Sequence, residues 1–142
     1  QLRLVSVRHC EKVGYADRVL WESNMITQED IDAFSTVTVT PMEYSYWVED
    51  KIMTEGKDRL VENVLGLVGE AGEVAEKVKK MLRDGSRLNQ EEIVKELGDV
   101  LFYTTAIANY FYSDLAEVLK INMDKLNSRA SRGVLSGNGD NR

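Results

Sequence analysis

From residue 40 onward the apolar positions recur every three or four residues, the spacing of one helix face, in four successive runs. Thr40-Pro41-Met42-Glu43 opens the first with a capping threonine, proline at the first helical position and an acid at the third. Tyr44, Trp47, Val48 and Ile52 form its stripe, and Gly56 interrupts it. A second helix is predicted over 58–82, with Val61, Val64, Leu65, Val68, Ala71, Ala75, Val78 and Leu82 on its apolar side. Asp84-Gly85 ends it, and Lys79, Lys80 and Arg83 sit in the last turns, where cations suit the helix dipole. Asn89-Gln90-Glu91-Glu92 is a capping box for a third helix reaching about residue 111. Its main stripe is Ile93, Leu97, Val100, Leu101, Thr104, Ala108 and Phe111, but Phe102 and Ala106 fall elsewhere, so more than one side needs covering. Ser113-Asp114 starts a fourth helix with Leu115, Val118, Leu119 and Leu126 inward, and the glycine-rich end from Arg132 reads as loop.

Residues 1–39 carry weaker patterns. Leu2, Leu4 and Val7 alternate with polar neighbours, as do the residues of 36–40, so two short strands are predicted there. Thr27-Gln28-Glu29-Asp30, followed by Ile31 and Phe34, reads as a short capped helix between them. The expected architecture is all-α, a four-helix-bundle core over 40–142, preceded by an extension over 1–39 of uncertain, partly β structure and unassigned role.

Composition narrows the classes. A chain of 142 residues is long enough for one domain with a real core. The net charge of −6 argues against a nucleic-acid backbone as partner. It leaves open a nucleotide whose charge a metal neutralises. The single cysteine, Cys10, excludes an internal disulfide and fits a reducing cytoplasm. Cys10 adjoins the only histidine, His9, and sequence neighbours do not make a nucleophile with a positioned base. No apolar run approaches about 18 residues, and the first residues lack a signal-peptide core, so neither membrane nor export is expected.

The candidate chemistry lies in two acidic stretches, Glu70-Ala71-Gly72-Glu73 and Glu96-Leu97-Gly98-Asp99. Residues three apart share a helix side, so each stretch can clamp one hard cation between two carboxylates. Projected at about 100° per residue, Glu70 and Glu73 fall roughly opposite the apolar stripe, which also describes an ordinary solvated face. Gly66 and Gly69 lie on that side, where each costs about 1 kcal/mol of helix propensity relative to alanine. Close packing or binding against the backbone would account for them. On the third helix Glu92, Glu96, Asp99 and Tyr103 make one stripe beside the apolar one, although Glu92 already serves the capping box. Lys95 projects away from these acids. Asn122, Lys125 and Arg129 share a stripe of the fourth helix, which reads as an exposed basic edge or as a phosphate clamp.

The pattern Glu70-x-x-Glu73, 22 intervening residues, then Glu96-x-x-Asp99 resembles the signature of the MazG-like all-α nucleoside triphosphate pyrophosphohydrolases of phages and bacteria. The stretches 67–76, 96–103 and 137–142 resemble that group as well, and the first 39 residues do not. The resemblance implies hydrolysis of an NTP or dNTP to monophosphate and pyrophosphate by a homodimer or homotetramer. It also implies Glu70, Glu73, Glu96 and Asp99 as catalytic ligands of magnesium, with manganese as a substitute. Asn122 and Lys125, with Arg129 beside them, would contact phosphate, and Tyr103 the base or sugar. Trp47 and Tyr44 are candidates for stacking on the base, or for core packing. One of the four carboxylates would orient or deprotonate the attacking water. A di-iron bundle is excluded for want of Glu-x-x-His motifs. The rival from another class is a helical module that binds nucleotide or protein without cleaving it.

Overall fold

The structure is a computed structural model and describes residues 38–85 and 89–136. The first strand and the short helix expected before residue 36 lie outside the described residues; of the strand expected over 36–40, residues 38–40 are described and form no strand. Four helices and no strand occur among those described: α1 Pro41–Lys51, α2 Gly56–Asp84, α3 Gln90–Tyr110 and α4 Leu115–Ser131. The class is all-α, as expected.

Local chemistry fixes the ends. Thr40 and Glu43 close the capping box of α1 from both sides, the threonine hydroxyl accepting from the Glu43 amide at 3.2 Å and the Glu43 carboxylate accepting from the Thr40 amide at 2.8 Å. Asp114 caps α4 by accepting from the Glu117 amide at 2.8 Å. Asn89 accepts from the Glu91 amide at 3.1 Å at the head of α3. That helix stops one residue short of its expected end, because Tyr112 takes a left-handed conformation at φ 59°.

By its contacts the chain divides into two compact units, one containing Glu70–Gly98 and the other Thr40–Gly69 with Asp99 onward. In the second unit α1 packs on α4 around Val48, Thr105, Ala106 and Leu115, all buried. Ser45 pins this packing: its hydroxyl donates to the Pro41 carbonyl at 3.0 Å and accepts from the Leu115 amide at 2.9 Å, one of the orphan donors that a helix start leaves. Asn109 donates to the Ser45 carbonyl at 2.9 Å and to the Glu49 carboxylate at 3.1 Å. Arg59 grips the same carboxylate with two bonds of 2.8 and 2.6 Å, holding it below the usual carboxylate range. Among the described residues of the first unit the buried apolar side chain is Met81.

One expectation is reversed. The apolar stripe of α2 is the exposed side of the helix: Val61, Val64, Leu65, Val68 and Leu82 are all between 41% and 71% exposed. The covered side carries Leu60, Asn63, Leu67, Glu70, Val74, Lys77 and Met81. Leu60, Leu67, Val74 and Met81 recur at seven-residue spacing, so a second, shorter apolar row runs along the side that carries Glu70.

Replacing Ser45 by alanine strands the Leu115 amide in a buried position, and should cost about 1–3 kcal/mol in urea unfolding. Tyr46→Ala, at an exposed neighbour, should stay within about 0.5 kcal/mol. Equal effects of the two would refute the pin.

Candidate metal and nucleotide site

In the first unit, α2 and α3 bring Glu70 and Glu96 together, each offering a carboxylate oxygen within 4.8 Å of the other's. Both side chains are partly covered. Asp99 follows Glu96 by one turn on the same side of α3 and is exposed. Glu73 follows Glu70 by one turn of α2 and is also exposed. The paired Glu-x-x-Glu and Glu-x-x-Asp stretches therefore lie on consecutive helices with one member of each pair in close approach. Hard carboxylate oxygens at this spacing suit a magnesium or manganese ion, which takes a few such donors and leaves positions for water and phosphate.

A cation already reaches this group. Lys77 Nζ lies 3.1 Å from Glu96 Oε1 and 3.4 Å from Glu92 Oε2, and the Glu96 contact is the main cause holding its ammonium charged above the ordinary lysine range. Glu92 is held in turn by the Asn89 side-chain amide at 3.1 Å. Sequence reasoning passed over Lys77, although it lies seven residues after Glu70 on the covered stripe. Lys95 pairs with Glu91 at 2.6 Å, away from the group, as its projection indicated.

In the second unit an aromatic run leads along α1 and α3. Tyr44 stacks on Trp47 at 5.6 Å between centroids, Trp47 meets Phe102 edge-on at 6.1 Å, and Phe102 meets Tyr103 edge-on at 5.4 Å. Burial, and then the charge of Asp99, push the Tyr44 phenol above its usual range. Trp47 keeps 51% of its surface exposed, so core packing uses only part of the ring. The Tyr103 ring explains one of the two glycines: a Cβ at Gly66 would fall 2.4 Å from it. Gly69 is different, with nothing within 4 Å of the Cβ it lacks.

The basic stripe of α4 divides. Asn122 and Lys125 are exposed, while Arg129 is 5% exposed. The expected basic edge thus survives at its first two positions. At the third the guanidinium is covered.

The model of the MazG nucleotide pyrophosphohydrolase domain matches residues 59–134, more than half the chain. The chain belongs to that family. Its general reaction class is therefore nucleotide pyrophosphohydrolysis, in a family typically dependent on divalent metal. Among curated proteins the chain is similar to Gene 37 protein of Mycobacterium phage L5, 49% identical over 82 residues that span 55% of this chain and 72% of the relative. No solved structure gives a significant match. Among the described residues no helix is long and apolar enough to cross a membrane.

The glycines of this MazG chain give opposite expectations. Gly69→Ala should raise the melting midpoint, adding up to about 1 kcal/mol, because the new methyl enters open space. Gly66→Ala should lower it, since the Tyr103 ring would have to leave its seat against α2. Matching shifts in thermal unfolding would show that Tyr103 does not pack there.

Proposed function

We propose that the chain hydrolyses a nucleoside triphosphate, NTP or dNTP, to the monophosphate and pyrophosphate with magnesium or manganese as the working cation. The observation that supports this most is the approach of Glu70 to Glu96 within 4.8 Å in a chain of the MazG family. Glu70, Glu73, Glu96 and Asp99 would hold the metal. When bound, it would neutralise the triphosphate and stabilise the charge of the departing pyrophosphate.

The remaining work falls to the chain's own groups. The sole histidine and cysteine, His9 and Cys10, precede the described residues, and the four acids are what the site offers as a base. One of them orients and deprotonates the attacking water. Asn122 and Lys125 present polar groups to the phosphates, with Arg129 behind them. The exposed face of Trp47 stacks on the base, supported by Tyr44, while Tyr103 borders the base or sugar.

The working form is a homodimer or homotetramer. Val61, Val64, Leu65 and Val68 on α2, and Ile121, Met123 and Leu126 on α4, are exposed apolar side chains, more than an isolated soluble chain ordinarily leaves in water. A second copy would cover them. The products would form where nucleotide pools are, in the cytoplasm of the cell or of the phage's host.

Glu73→Gln and Asp99→Asn should each lower pyrophosphate release by at least about a hundredfold while circular dichroism and the melting transition persist, as expected for lost charge at a metal-assisted step. Native rates in both variants would end this reading. Val68→Glu should shift the chain to monomer in sedimentation, and an unchanged mass would end the proposed interface.

A further inference from the structure

We infer that Lys77 is a resident counter-ion of the carboxylate site, occupying Glu96 when no metal is bound and opposing the divalent cation when it arrives. The inference rests on the reading of Glu70 and Glu96 as metal ligands. Its observations are separate from that reading and lie within one unit. Lys77 Nζ is 3.1 Å from Glu96 Oε1, and both partners are partly covered: the two side chains are 24% and 19% exposed. The second contact, 3.4 Å to Glu92, ties the ammonium to an acid that Asn89 already holds.

The other lysines of this region are engaged elsewhere. Lys79 and Lys80 pair with Glu76, and Lys95 with Glu91. Lys77 is thus the one of these four whose ammonium touches a candidate ligand. Its position follows from the helix: it lies two turns beyond Glu70 on the covered stripe of α2, so the side that carries Glu70 carries this lysine too.

Two effects follow. Without metal, the ammonium offsets the mutual repulsion of Glu70 and Glu96 and keeps Glu96 ordered. With metal, a fixed positive charge a few ångströms from a doubly charged ion weakens its binding. For like charges a few ångströms apart in a mostly solvated setting, such opposition amounts to about tenfold in affinity. Lys77 would then keep metal exchangeable and make occupancy depend on the anionic substrate that accompanies it.

The test is Mn²⁺ binding by the full chain, read from the free-ion electron paramagnetic resonance signal, with no nucleotide present. Lys77→Met should bind Mn²⁺ about tenfold more tightly than the native chain and unfold at lower temperature without metal. Lys77→Arg, which keeps the charge, should stay within about twofold of native. Should the methionine variant fail to fold, Lys77→Gln carries the same expectation. Unchanged or weaker Mn²⁺ binding in a folded, uncharged variant would overturn the counter-ion role while leaving the metal site standing. No Mn²⁺ binding by the native chain would overturn both.

Discussion

Two carboxylates held within 4.8 Å of each other repel unless positive charge is brought to them, and this constraint governs the first unit, where α2 and α3 bring Glu70 to Glu96. Glu70 and Glu96 come from different helices, so their approach is imposed by packing rather than by a local turn. Val74 and Met81 lie on the same covered side of α2 as Glu70. Lys77, on the same side, returns part of the charge.

The second unit is held by paired polar groups. Ser45, Asn109, Glu49 and Arg59 join α1 to the start of α4, the end of α3 and the start of α2 through bonds of 2.6 to 3.1 Å. A small set of paired polar groups thus does what a short apolar core of Val48, Ala106 and Leu115 could do only loosely. On this frame α1 and α3 carry the aromatic run from Tyr44 to Tyr103, and Tyr103 sits against α2 because residue 66 has no side chain. Precise placement of a site depends on such locked neighbours.

Helix starts were legible because capping is chemistry between residues close in sequence: Thr40 with Glu43, and Asp114 with Glu117, bond as their spacing indicates. The acidic pairs were legible because helical spacing alone places both members on one side. The covered face of α2 was not. The stripe of Val61, Val64, Leu65, Val68, Ala71, Ala75, Val78 and Leu82 outnumbers the apolar residues of the other row, and periodicity cannot distinguish a stripe that meets the chain's own core from one left exposed. That ambiguity hid Lys77, and spacing alone likewise made Arg129 look like part of an exposed basic edge although it is 5% exposed. Gly66 could be flagged as anomalous from sequence, but its reason, the Tyr103 ring 37 residues away, needed the fold.

The most direct test of the central claim is the identity of the products. The purified chain is incubated with each common NTP and dNTP and magnesium, and nucleoside monophosphate with pyrophosphate is resolved from diphosphate with phosphate. The account predicts monophosphate and pyrophosphate in equal amounts from at least one nucleotide, and none once the metal is chelated. Diphosphate and phosphate, or turnover that survives chelation, would contradict it.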